Sequence, residues 1–213
     1  GEGNADVGAY TDIARDPSGN IHISYYDWTN GYLKHAQKVL GIWYKETIDG
    51  TDDVGWYTSM AIDASGQIHI GYYDYTNSDL KYANGTFGLW DAETVDSGGD
   101  VGEYASLSVD SAGSVHISYY DADNQDLKYA AKALGPWSII TIDSTGDVGR
   151  HTSIALGPSN AVHISYYDNT LFDLKHATNA SGEWISEIVD SDGDVGLFSS
   201  ITVGTRGSLH IRY

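Results

Sequence analysis

The chain has no cysteine, so it carries no disulfide, no thiolate metal site and no cysteine nucleophile. Only 3 prolines occur, and 11 basic side chains face 30 acidic ones, for a formal charge of -19. Such a charge repels phosphates and anionic lipid, which excludes nucleic acid and membrane surfaces as expected partners. No apolar run approaches the roughly 20 residues of a membrane-spanning helix, and no signal-peptide pattern is visible. A helical period is also missing. What is abundant is glycine (25) and tyrosine (17), a composition of strands and tight turns. At 213 residues the chain is long enough to bury roughly 70% of its unfolded surface without a covalent or metal staple.

The abundant residues recur in order. Asp-Val-Gly begins at Asp6, Asp53, Asp100, Asp147 and Asp194, always 47 residues apart. His-Ile-x-Tyr begins at His22, His69, His116, His163 and His210, and four copies extend to Tyr-Tyr-Asp, ending at Asp27, Asp74, Asp121 and Asp168. Lysines follow at Lys34, Lys81, Lys128 and Lys175, and tryptophans at Trp43, Trp90, Trp137 and Trp184. The repeats are residues 6–52, 53–99, 100–146, 147–193 and a partial 194–213.

Within the second copy the pattern predicts four strands: Tyr57–Asp63, Gln67–Asp74, Asp79–Ala83 and Leu89–Asp96. The turns between them are Ala64–Gly66, Tyr75–Ser78 and a glycine-rich Asn84–Gly88. Four-stranded antiparallel units of this length, repeated, predict an all-β β-propeller, a single domain over 1–213 with four full blades and a partial fifth. A linear solenoid of the same units is the alternative.

The string Ser59–Ala83 (SMAIDASGQIHIGYYDYTNSDLKYA) resembles repeats of secreted bacterial β-propeller proteins, loosely related to the Asp-box, sialidase-type propellers. The resemblance implies the blade architecture and a secreted or cell-surface bacterial location. It does not fix an activity, because such propellers include glycosidases, lectins and adhesin parts. The turn here is Asp-x-x-Gly, as in Asp63–Gly66, where the Asp box has Asp-x-Gly, and in the fourth copy Gly157 and Asn160 replace both ends. Residues 1–5 offer no strands to complete the last blade. Closure is therefore expected with a two-stranded fifth blade, with a homodimer pairing two half-blades, or within a longer array.

Several motifs have a structural and a functional reading. The five periodic histidines sit on second strands, too far apart to share one ion, and are expected to bond the neighbouring blade. Each Asp and the Lys seven residues on are expected to pair across one hairpin, as with Asp74 and Lys81. The periodic tryptophans are expected to pack between blades. Asp190, Asp192 and Asp194 resemble the first half of a calcium loop, so calcium is the ion this segment would take, with turn chemistry as the other reading. No other cofactor is required.

Positions that vary between copies are the informative ones. Trp28 and Trp56 stand outside the periodic tryptophan position. With Asn30, Tyr32, Tyr75 and Asn77 they combine aromatic faces with amides, the composition that binds sugars. The expected function is a non-enzymatic extracellular binding module for a glycan, or alternatively a structural or protein-interaction propeller without a small ligand. A sialidase-type hydrolase would need clustered arginines, whereas Arg15, Arg150, Arg206 and Arg212 lie at unrelated repeat positions.

Overall fold

The structure is a computed structural model that describes residues 6–213; the expectation for residues 1–5 lies outside the described residues. It is all-β. The first sheet holds β1 (Val7–Arg15), β2 (Ile21–Asp27), β3 (Tyr32–Val39) and β4 (Ile42–Asp49) in that order. The second holds β5 (Val54–Ile62), β6 (Ile68–Asp74), β7 (Asp79–Thr86) and β8 (Leu89–Asp96). The third holds β9 (Val101–Val109), β10 (Val115–Asp121), β11 (Asp126–Lys132) and β12 (Ser138–Asp143). The fourth holds β13 (Val148–Leu156), β14 (Val162–Asp168), β15 (Asp173–Thr178) and β16 (Ile185–Asp190). A two-stranded sheet of β17 (Ser200–Val203) and β18 (Leu209–Arg212) follows. The chain falls into two compact units, one ending at Gly102 and one spanning Glu103–Tyr213.

Alternation does not separate a wet face from a dry one on the central strands. Every residue of β6, β10 and β14 is buried, so both faces of these strands are covered. In the first unit the core joins Leu33, Val54, Ile68, Ile70, Tyr72 and Ala83 from both sheets. In the second unit Leu127, Val148, Val162, Ile164, Tyr166 and Ala177 do the same at equivalent repeat positions. Each buried aliphatic of this kind stabilises by about 1.5–3 kcal/mol.

Two boundaries differ from expectation. The first strand of the second copy begins at Val54, three residues early, because Val54 pairs with Asp74 through a bulge. The glycine-rich turn of that copy is shorter than expected. β7 runs on through Asn84 and Gly85 to Thr86, with Gly85 paired to both Ile68 and Trp90. A Cβ on Gly85 would collide with the Leu89 carbonyl, so glycine here serves close strand packing and not a turn.

The bulge recurs and positions the variable residues. Pairing shifts on both sides of Ala9, Trp56 and Arg150. Gly55 adopts φ 107° and Tyr57 φ 51°, so Trp56 is held between two residues of left-handed backbone. The same pair at Gly149 (φ 106°) and His151 (φ 53°) brackets Arg150. Bulges re-aim side chains, and here they re-aim the one position that differs most between copies.

Candidate functional site

In the first unit the bulge brings Trp56 into an aromatic group. Its ring stacks with Tyr75 at 4.6 Å and 14°, and with Tyr10 at 5.4 Å and 25°. Trp28 meets Trp56 edge-on at 5.0 Å and Tyr26 edge-on at 5.0 Å. Trp28 is 45% exposed and Tyr75 54% exposed, whereas Trp56 is half-buried. The open aromatic faces are therefore those of Trp28 and Tyr75, with Trp56 as the ring that holds them.

Asp53 anchors this group. Its Oδ1 accepts the Tyr26 hydroxyl at 2.5 Å and Trp56 Nε1–H at 3.1 Å. Burial, followed by the hydrogen bond to Asp53, pushes the Tyr26 phenol up to about 12, so it remains a donor. Among the described residues the second oxygen of Asp53 has no hydrogen-bond partner. The arrangement thus offers ring faces beside an unspent carboxylate acceptor.

The other expected residues are placed differently. Asn30 Nδ2 donates to Asp27 Oδ2 at 2.8 Å, and Asn77 Nδ2 to Asp74 Oδ2 at 3.0 Å. Both amides close their own turns, which explains their recurrence after Tyr-Tyr-Asp. Tyr32 opens β3 opposite Asp27, with its ring beside Gly50 and apart from the Trp28 group. Tyr10, Tyr26 and Asp53 were not singled out as site residues. The signal for the last two was a constant 27-residue step from the second tyrosine of Tyr-Tyr-Asp to the Asp of Asp-Val-Gly. It is realised as Tyr73 to Asp100 at 2.7 Å, Tyr120 to Asp147 at 2.7 Å and Tyr167 to Asp194 at 2.8 Å.

The periodic histidines bond within their own sheet and not to the neighbouring one, which corrects the expectation. His22 Nδ1 lies 3.0 Å from His35 Nε2, and His35 Nδ1 lies 2.8 Å from Glu46. His163 pairs with His176 at 3.2 Å, while His69 and His116 meet the hydroxyls of Tyr82 at 2.6 Å and Tyr129 at 2.5 Å. The reason is register: second and third strands place these residues on one face, one diagonal apart. Burial lowers the pKa values of His35, His69, His116 and His163.

The lysines form the expected hairpin pairs in all four copies, and two of them make a shorter contact besides. Lys81 Nζ is 3.8 Å from Asp74 in its own hairpin but 2.6 Å from Asp49 of the neighbouring sheet. Lys175 is 3.7 Å from Asp168 and 2.5 Å from Asp143. These ions are largely buried, so each lysine ties two sheets together. Trp90 and Trp184 do pack between sheets, against His35 and Tyr129. Trp43 is 44% exposed under the Lys38 ammonium.

At the acidic fourth loop, Asp190 accepts the Tyr213 hydroxyl at 2.5 Å and the Asp192 N–H at 3.0 Å, and Asp194 accepts Tyr167. Among the described residues no three His, Asp or Glu side chains stand close enough together to hold a metal ion. No helix of the described residues is long and apolar enough to cross a membrane.

No protein-family description matches the chain, and no curated protein does. Solved structures do. A mutant of AofleA from Arthrobotrys oligospora aligns with 95% of this chain at 15% identity and a TM-score of 0.67. The chain spans 64% of that protein's length. A fungal lectin, the Aleuria aurantia lectin described as a six-bladed β-propeller with a novel fucose recognition mode, aligns with 97% of this chain at 11% identity. It has a TM-score of 0.59 and is covered over 73% of its length. A Hadza microbial sialidase aligns with 93% of this chain at 12% identity and a TM-score of 0.65, with 50% of its own length covered. These likenesses show the fold, that of β-propeller blades.

Proposed function

We propose that the protein is a non-enzymatic, extracellular glycan-binding module whose first unit binds a neutral sugar at Trp28, Trp56 and Tyr75. The observation that carries this reading is the pairing of exposed ring faces with the unspent oxygen of Asp53. Ring faces stack on the C–H side of a pyranose, and a carboxylate oxygen accepts from its hydroxyls. Lectins among the structural neighbours support the reading.

Titration with a panel of neutral methyl glycosides, fucosides included, is expected to change tryptophan fluorescence. Trp28→Ala and Asp53→Asn are each expected to weaken that binding at least about tenfold, or about 1.4 kcal/mol. A panel that leaves both fluorescence and heat unchanged would sink the proposal.

The sialidase neighbour keeps a hydrolase reading in view, and a fluorogenic sialoside assay separates the two: turnover by this chain would replace the binding role with catalysis. Calcium binding at Asp190, Asp192 and Asp194 is a separate proposal. A melting temperature raised by calcium and restored by chelator would support it, and an unchanged one would remove it.

A further inference from the structure

The second unit repeats the bulge with different chemistry. Where the first unit has Trp56 donating to Asp53, the second has Arg150 donating to Asp147. Arg150 Nε lies 3.3 Å from Asp147 Oδ1, and Nη2 lies 3.1 Å from Oδ2. Nη2 also reaches the Tyr120 hydroxyl at 3.3 Å, and the guanidinium lies 5.1 Å over the Tyr120 ring. The position of Trp28 is taken by Ala122, so no indole covers this group.

The hydrogen-bond accounting of Asp147 differs from that of Asp53. Oδ1 accepts Tyr120 and Arg150 Nε; Oδ2 accepts Arg150 Nη2 and Asn169 Nδ2 at 2.7 Å. Four donors fill the four acceptor sites of the carboxylate. Asp147 has nothing left for a ligand. Arg150 does: among the described residues its Nη1 has no partner, and its side chain is 34% exposed. Asn169, whose amide nitrogen shares Oδ2 with Arg150, keeps its carbonyl oxygen unpaired among the described residues.

Asp147 already occupies the Nε/Nη2 fork, so the donors left are the two N–H groups of Nη1, which can give a carboxylate a charge-assisted hydrogen bond. The adjacent amide carbonyl accepts from a hydroxyl. A carboxylate beside a hydroxyl is the pattern of a uronic acid, whereas a glutamate side chain has only methylenes there. The formal charge of -19 disfavours polyanions, which selects one acidic residue within an otherwise neutral saccharide. We propose that Arg150 and Asn169 form a second binding site, for a uronic-acid residue, chemically distinct from the aromatic group of the first unit and independent of it.

The test compares methyl glucuronide with its methyl ester by calorimetry on the whole chain. The acid is expected to bind at least about tenfold tighter than the ester, and the difference is expected to vanish in Arg150→Gln. Arg150→Lys keeps the charge but cannot hold Asp147 and a ligand with separate nitrogens, and is expected to recover only part of it. Arg206→Gln removes the same charge from an exposed turn and is expected to change nothing. Equal affinities for acid and ester in the native chain overturn the proposal without any variant. A difference that survives Arg150→Gln overturns it as well. N-acetylglutamate binding as tightly as the glucuronide replaces the sugar with a peptide carboxylate. Neutral glycosides at Trp28 are read separately by fluorescence, so either proposal can fail alone.

Discussion

At the scale of single residues, the glycine of Asp-Val-Gly in the second to fifth copies combines positive φ with a close backbone neighbour. Gly149 has φ 106°, and a Cβ there would stand 2.7 Å from the Leu127 Cα, a backbone atom that cannot step aside. Gly149→Ala is expected to destabilise by on the order of 3 kcal/mol, combining backbone strain with overpacking. Gly66 also has positive φ, at 89°, but nothing within 4 Å of its missing side chain. Gly66→Ala is expected to lose only about 1 kcal/mol. Denaturant melts of the two variants check the ranking, and equal losses would mean that strain alone sets the cost. The sequence announced both glycines by their recurrence, but not which one faces backbone. That distinction depends on Leu127, a neighbour from another sheet. Trp28 and Trp56 were legible for a related reason: they break the repeat, and a residue the repeat does not require is free to serve a ligand. Asp53 was hidden because all five copies share it, and only its unspent oxygen separates it from Asp147.

At the scale of strands and sheets, the acidic turns hold the structure together through buried ionic and tyrosine contacts. Burial opposes the Asp49 carboxylate, but the bonds from Lys81, Thr51 and Tyr72 outweigh it and lower its pKa below the ordinary value of 3.8. The same contest, with Lys175, Tyr166 and Thr145, lowers Asp143. A carboxylate with a depressed folded pKa contributes stability above its unfolded pKa and loses it as pH falls through the folded one. The histidines act in the same direction. His35, His69, His116 and His163 fall below 6.5 in the folded chain because burial disfavours the imidazolium. Their unfolded forms therefore take up protons first. The melting temperature is expected to fall in two stages: gently as pH drops below about 6.5, then steeply below about 4. A melt series from pH 8 to 3 checks this, and a flat profile down to pH 4 would mean the histidines carry no linkage. Strand periodicity was enough to place four strands per repeat. It did not show that Lys81 and Lys175 reach past their own hairpins to a neighbouring sheet, because sequence distance favours the nearer aspartate.

At the scale of the whole molecule, charge opposes the contacts that the repeat multiplies. The formal sum of -19 comes from 30 acidic and 11 basic side chains, and the repeat places acids in the loop before Asp-Val-Gly and at the Tyr-Tyr-Asp corner. Surface repulsion of this kind is screened beyond about 8–10 Å at physiological salt, whereas the largely buried pairs Lys81–Asp49 and Lys175–Asp143 are screened much less. Added salt therefore relieves the destabilising part and leaves most of the stabilising part. The melting temperature is expected to rise by several degrees between about 10 and 150 mM sodium chloride, as the Debye length shrinks from roughly 30 to 8 Å. A fall over that range would mean that exposed ion pairs dominate. The same series tests self-association through the two-stranded sheet of β17 and β18. Two copies repel each other at low salt, so pairing along that sheet would appear as salt rises and would double the mass. A mass of 23.1 kDa at both ends of the series removes that pairing.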